Sequence, residues 1–285
     1  MQLNVLKDIR KIYAGLNPEG IRALAAKDIQ VGLMASTDET YRRMEAFLAP
    51  AGSDVQALRA VSSAASASGS EAAERYDFVL CEAGVPVPRN GYLFESDETG
   101  SLARLILEEN PDLELALART FPLFRDAAAS RILYRISREN ALFALVTALP
   151  NVIPSFLDVP WAVGEFATDT AFLTMNQIRM ALQLAAMYDR PVGFAEQKIE
   201  LGTIVAGAFG WRALARELVG KIPLGGGLIP KAAVAFAGTY VVGLGLEKVN
   251  RTGSGMSRQQ SRDAYTAAFE HGKKVAGELA KDARA

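Results

Sequence analysis

The run EFATDTAFLTMNQIRMALQLAAM, residues 165–187, constrains the fold more than any other part of the chain. At about 100° per residue, Asp169, Asn176, Arg179 and Gln183 all fall within about 40° of Glu165, with Phe172 the one apolar side chain between them and Met187 at the end of the line. The rest of that helical surface is Phe, Ala, Leu, Met and Ile with Gln177 and a few threonines. A surface helix of a soluble domain has the reverse proportions, a broad polar face and a narrower apolar stripe. The segment is therefore expected either at the centre of a helical bundle or with its wide side toward lipid. Its polar line must meet partners, because a buried carboxylate without one is costly.

Opposite charges at helical spacing stand a little further on, in AEQKIELGTIVAGAFGWRALARELVGKI: Glu196 and Glu200, then Arg212 and Arg216. Pairs such as Glu165–Arg212 and Asp169–Arg216 would turn the line into a satisfied network. A sharper alternative is a carboxylate-bridged metal site from Glu165, Asp169, Glu196 and Glu200. Bundle di-iron sites add a Glu-x-x-His on two helices, and this region has no histidine. Neither a metal nor another cofactor is expected.

The 285-residue chain has one cysteine, Cys81, and one histidine, His271, which rules out an internal disulfide and any His/Cys zinc site. Serine–histidine or cysteine–histidine catalysis would depend on His271, in the charged segment EHGKKVAGELAKDARA, where a solvated side chain is expected. Half of the residues are apolar and 22% are charged, which keeps membrane association open. A formal net charge of −1 gives no whole-chain field that would attract nucleic acid, so no nucleic-acid partner is expected. The start, MQLNVLKDIRKIYAGL, has no continuous apolar core and does not read as a signal peptide. The expected location is the cytoplasm or the cytoplasmic face of an inner membrane.

The sequence predicts an α+β protein that is mainly helical. Residues 1–100 read as a small α/β domain. Asn17-Pro18 starts a helix; DIQVGLMA (28–35), DVQALRAV (54–61) and YDFVLCEAG (76–84) read as strands; STDETYRRMEAFLAP carries a helix capped by Ser36 or Thr37 and stopped at Pro50. Between them SSAASASGSEAAE (62–74) reads as a loop or tether. The domain boundary is expected between residues 96 and 112. Residues 101–250 read as an apolar helical domain cut by prolines, and 251–285 as an exposed polar helix.

The order strand 28–35, turn, helix from 38 is where a phosphate loop would sit. The motif needs G-x-x-x-x-G-K-[ST], so that bare backbone amides wrap the phosphates and a lysine reaches them. Counting from Gly32, the chain has Thr37, Asp38 and Glu39 where Gly, Lys and Ser/Thr belong, and Cys81 where a GTPase would place its magnesium-linked aspartate. The domain reads as a degenerate P-loop-like or Rossmann-like scaffold, and no nucleotide hydrolysis is expected from it. The glycines of PLGGGLIPKAAV (223–234) follow no strand and read as a helix–helix turn, with Pro230 opening the next helix.

Two segments are apolar enough to raise a membrane span. ALFALVTALPNVIPSFLDV (141–159) is broken by two prolines and Asp158, and AAVAFAGTYVVGLGL (232–246) is about fifteen residues against the roughly twenty needed. Small residues recur at four-residue spacing in Gly202, Ala206, Gly210 and in Ala235, Thr239, Gly243, a pattern that lets helix backbones approach. Trp161 and Trp211 could anchor at a headgroup interface or pack in a core.

Three stretches, TMNQIRMALQLAAMYDRP, IVAGAFGWRALARELVGKIP and KAAVAFAGTYVVGLGLEKV, resemble a bacterial domain of unknown function (number six-nine-seven). The resemblance covers roughly residues 130–250 and rests on Asn176-Gln177-x-Arg179, Gly207-x-x-Gly210-x-Arg212, Pro223, Gly238-Thr239 and Gly243, in that order. That domain occurs alone, behind P-loop GTPase domains, and in YcjF-type inner-membrane proteins. The resemblance implies a helical module that works beside GTPases or at membranes, with any nucleotide activity belonging to a partner. The leading expectation is a non-enzymatic helical protein that associates with a membrane surface, inserts shallowly or self-associates as a homo-oligomer, linked to GTPase systems. The alternative is a soluble helical adaptor docking onto a separate GTPase, and the third reading a carboxylate-based metalloenzyme. Asn176, Arg179 and Arg212 are the residues expected to matter most, with a role in knitting the bundle as the main reading.

Overall fold

The structure, a computed structural model, describes residues 16, 18–63, 75–95, 99–147, 169–193 and 228–282. The protein is α+β and mainly helical, with a small parallel sheet in its N-terminal part. It divides into two compact units, a sheet unit from Glu19 to Ser130 together with Ala186–Asp189, and a helical unit that takes up Arg131–Ala185 and the chain from Arg190 on.

The sheet unit begins with α1 (Pro18–Ala25), opened by its proline, and β1 (Val31–Met34). Helix α2 (Asp38–Leu48) starts where the sequence places it. Thr37 is extended and its hydroxyl accepts from the Thr40 amide at 3.1 Å, with Asp38 and Glu39 in the first turn, favourable at a helix N-terminus. The segment read as a strand over 54–61 is instead helix α3 (Val55–Ala60), which runs straight into the short strand β2 (Val61–Ser63). Asp54 decides this: its carboxylate accepts from the Gln56 amide at 3.2 Å and so caps a helix of good helix formers. The apolar spacing of this short run fits either period.

Strand β3 (Phe78–Cys81) lies inside the expected run, and a fourth strand, β4 (Gly91–Leu93), was not anticipated. The four strands are all parallel in the order β2-β1-β3-β4, with Val31 opposite Val61 on one side and Phe78 on the other, and Val79 opposite Gly91. Both central strands are buried through most of their length, as parallel strands covered on two faces are.

Helices α4 (Thr99–Glu109) and α5 (Glu114–Thr120), each followed by a short 3₁₀ turn, lie in this same unit. Ile106, Leu107, Leu117, Phe121 and Phe124 are fully buried, and Phe124 meets Phe78 of β3 edge-on. Tyr92 of β4 donates its hydroxyl to Glu109 at 2.8 Å and accepts from Asn110 at 2.8 Å. The change to helical sequence near residue 101 is thus not where the compact units divide: the helices after it complete the core of the sheet.

The unit division falls within α6 (Arg125–Val146), between Ser130 and Arg131. In the helical unit the C-terminal part of α6 packs with α7 (Asp169–Met187), α8 (Leu228–Thr252) and α9 (Arg258–Asp282). Pro230 does stand in the first turn of α8. This helix is a continuous 25 residues, longer than the apolar stretch within it, because its backbone continues through Glu247 and Lys248 and stops only at Gly253, whose φ of 75° a side chain would strain. At 1.5 Å per residue it is about 37 Å long.

Helix α9 is not simply exposed. Tyr265, Ala268, Gly272, Val275, Ala276 and Leu279 are buried, and they pack with Ala232, Phe236, Ala237 and Val241 of α8. A Cβ on Gly272 would come within 3.0 Å of the Ala233 carbonyl oxygen, so the two backbones touch there. Half of the buried side of α9 is alanine and glycine, which contribute little to hydropathy, and Tyr265, Val275 and Leu279 stand among charged residues; a polar appearance in sequence therefore concealed a packing face.

Candidate functional site

The polar line of α7 becomes a buried seam between three helices. Asn176 is 2% exposed and donates its amide to Asn140 Oδ1 of α6 at 2.7 Å. Asn140, wholly buried, in turn donates to Thr239 Oγ1 of α8 at 2.8 Å. Gln177 reaches the same hydroxyl at 3.4 Å. One threonine oxygen thus gathers amides from two other helices, and Asn140 links all three. Around it the packing is tight: Phe143 and Phe172 stack with centroids 3.9 Å apart, and a Cβ on Gly243 would lie 2.6 Å from Leu133 Cγ and 2.8 Å from Met180 Sδ.

Arg179, one turn along α7, pairs with Glu139 of α6 through one guanidinium nitrogen. Its Nε, the Oε1 atoms of Gln177 and Gln183, and the Ser137 hydroxyl are buried and make no hydrogen bond. The seam is therefore incompletely satisfied, which makes it sensitive to any change that orphans a further group.

Of the residues singled out in sequence, Asn176 and Arg179 meet partners on α6. Glu165, Glu196, Glu200, Arg212 and Arg216 lie outside the described residues, as do Trp161 and Trp211, and Asp169 is described only as the first residue of α7. The pairs Glu165–Arg212 and Asp169–Arg216 and the four-carboxylate metal reading fall outside with them. Among the described residues no three His, Cys, Asp or Glu side chains gather as a metal site. Glu139, Asn140 and Thr239 are seam residues that the helical line missed. The signal was present in RENALFALV, where Glu139 and Asn140 precede an apolar run just as the polar residues of α7 interrupt theirs.

Chemically the seam holds amides, one hydroxyl acceptor and one ion pair. Such a set fixes the register of helices by requiring specific partners. The residues of the resemblance that are described here concentrate at it: Asn176, Gln177 and Thr239 bond within it, Arg179 adjoins it, and Gly243 permits the crossing beside it.

A second place deserves the same scrutiny. In a sheet ordered β2-β1-β3-β4, the strand order reverses at β1 and β3, and the crevice at their carboxyl ends is where open parallel sheets receive ligands. Here that crevice holds the chain's own anion. Glu82, just after β3, accepts from the Ser36 amide and hydroxyl, both at 2.6 Å, and from the Thr40 hydroxyl at 2.8 Å. The Ser36 side chain, its backbone N–H and Thr40 hold the Glu82 carboxyl below the usual carboxylate range. The start of α2, where a phosphate would be cradled, thus faces a carboxylate. Cys81 beside it is wholly buried, 4.0 Å from Met34 Sδ, and burial pushes its thiol up, away from thiolate reactivity.

His271 is exposed, as expected of a solvated side chain, but its ring also rests against Phe236 and Tyr134, with centroids 5.4 and 6.0 Å away.

Compared with family models, with curated proteins and with solved structures, the chain matches none.

Proposed function

We propose that the chain is a non-enzymatic helical interaction protein that associates with a membrane surface through its helical unit, without spanning the bilayer. One observation carries the limit to the surface: α8, the one described helix long and apolar enough to cross a membrane, has α9 packed along it. Helix α9 bears Arg258, Arg262, Asp263, Glu270, Lys273 and Lys274 on exposed positions. A hairpin whose second helix carries that many charges cannot enter hydrocarbon without stripping their water, at several kcal/mol per ion. The seam to Thr239 holds α8 to α6 and α7 as well. Half of the most apolar window of α8 is nevertheless unburied, which keeps apolar surface near the outside of the unit.

The resemblance to a domain found beside GTPases supports a partner of that class, with nucleotide chemistry residing in the partner. Glu82 at the start of α2 supports leaving that chemistry out of this chain.

Flotation on liposomes followed by an alkaline carbonate wash tests the reading. The protein is expected to float and to be released by the wash. Resistance to carbonate would mean that α8 leaves its bundle and spans. Failure to float would favour the soluble adaptor. That second reading draws on Val55 and Leu58, which expose an apolar pair on α3 at 57% and 49% and offer a partner protein a contact.

A further inference from the structure

We infer that the tip of the α8–α9 hairpin is the docking surface, and that its partner is the phosphate layer of an anionic phospholipid bilayer. The inference rests on the membrane-surface reading above and names where and to what the chain docks.

The near-zero net charge of the chain conceals a separation. Among the described residues the helical unit carries 13 Lys and Arg against 7 Asp and Glu, while the sheet unit carries 10 against 15. Charge asymmetry of this kind between parts of a chain points to a polyanionic partner for the basic part.

Within the helical unit the cations concentrate at one end. The turn Gly253–Ser257 joins the helices, and Arg190, Lys248, Arg251, Arg258 and Arg262 stand around it. Arg190 reaches the Asn250 carbonyl at 3.3 Å, which brings the segment after α7 to this end. Glu247 pairs with Arg251 at 3.3 Å, Asp263 accepts from Gln259 at 2.9 Å, and Asp189, next to Arg190, pairs with Arg119 at 2.8 Å, so five cations stand against three acids of which one pairs within the group.

The tip is built rather than loose. Ser257 and Gln260 form a reciprocal capping pair, the Gln260 amide donating to Ser257 Oγ at 3.1 Å and the Ser257 amide to Gln260 Oε1 at 2.9 Å. Lys248 donates to that same Gln260 oxygen at 3.0 Å, tying the end of α8 to the start of α9. The first turn of α9 nonetheless lacks an acid and has Arg258, a cation where the helix dipole disfavours one. A cation at this exposed position, beside four further cations, suits an external anion.

A bilayer fits this surface better than a nucleic acid does. No aromatic side chain stands in the turn 253–257 on which a base could stack, and the apolar stem of α8 lies directly behind the cations. Basic residues over an apolar stem suit a headgroup interface.

Flotation of the full chain on vesicles with about 30 mol% phosphatidylglycerol, beside pure phosphatidylcholine vesicles, tests this inference. Binding is expected on the anionic vesicles in about 0.1 M salt and lost in about 0.5 M, where screening is short-ranged. The variant Arg258→Glu/Arg262→Glu should weaken the partition by at least about tenfold, since each basic residue near the surface contributes a several-fold factor. Lys274→Glu/Lys281→Glu, the same charge change further along α9, should cost less than about threefold. Circular dichroism should match the parent for Arg258→Glu/Arg262→Glu, because a glutamate near the start of α9 suits the dipole, while a glutamate at 281, in the last turn, should cost no more than about 1 kcal/mol and leave the fold intact. Equal binding to both vesicle types overturns the inference and leaves the membrane-surface reading standing; equal losses in the two variants overturn the tip as the site. No binding to either vesicle overturns both, as does capture by duplex or single-stranded nucleic acid in place of vesicles.

Discussion

Asn176 of α7 donates to Asn140 of α6 at 2.7 Å, between two residues that are both buried and 36 positions apart in sequence. Asn140 also donates to Thr239, so removing this one amide takes the acceptor from Asn176 and leaves Thr239 with only the longer bond from Gln177. Asn140→Leu is expected to destabilise the helical unit by about 2 kcal/mol, the cost of leaving buried polar groups unmade. Urea unfolding followed by circular dichroism measures it. Asn140→Leu/Asn176→Leu should cost less than the two single changes together, by about 0.5 kcal/mol or more. Additive losses would mean that the amides act separately.

Two glycines of α8, two positions apart, should respond with opposite sign. Gly243→Ala places a Cβ 2.6 Å from Leu133 Cγ and 2.8 Å from Met180 Sδ, so one of those side chains must move, at about 1–3 kcal/mol. Gly245→Ala meets nothing within 4 Å and should stabilise by about 0.5–1 kcal/mol through helix propensity. Thermal melts of the two variants decide it; a shift of the same sign in both would show that this crossing is looser than described.

Alkaline unfolding should be steep. Burial pushes the phenols of Tyr265 and Tyr92 up to about 12 from an ordinary value of 10.0. A raised pKa means that the unfolded chain loses the proton first. Stability from these groups is therefore complete below about pH 10 and disappears as pH rises toward 12. Tyr265, in the α8–α9 core, should account for about 1–2 kcal/mol of that loss. Absorbance titration of the phenolates checks it: two of the chain's eight tyrosines should ionise only as the protein unfolds, and Tyr265→Phe should remove one of them.

On the acid side Glu82 has the opposite sign. Its carboxyl is held below the usual value of 4.5 by Ser36 and Thr40, so its contribution is present above that pH and is lost as pH falls through its lowered value. Glu82→Gln should flatten the acid limb of the sheet unit's stability curve. An unchanged limb would show that the Ser36 and Thr40 contacts do not persist in solution.

The parts legible in sequence were those where a single local rule applied. Thr37, Asp38 and Glu39 announced the start of α2, and the 100° line on α7 announced that Asn176 and Arg179 would need partners. Which partners was not legible, because a polar residue specifies that it needs a bond but not which element supplies it. Glu139 and Asn140, which supply them, stand 40 and 36 positions earlier in the chain, on a helix that begins in the other unit. Helix α3 was misread because Val55, Ala57 and Leu58 fit either period until Asp54 is recognised as a cap. Strand β4, three residues long, offers too few positions for any periodicity. The charge separation was invisible for a different reason: a sum over the whole chain cancels a basic unit against an acidic one.

The alanine and glycine face of α9 closes over α8 from the C-terminal side of the chain, and that order has a consequence during synthesis. Helix α8 emerges from the ribosome before α9 does, so its apolar side stays bare until the later helix follows. A chain cut short before α9 would leave Ala232, Phe236, Ala237 and Val241 without the side chains that cover them.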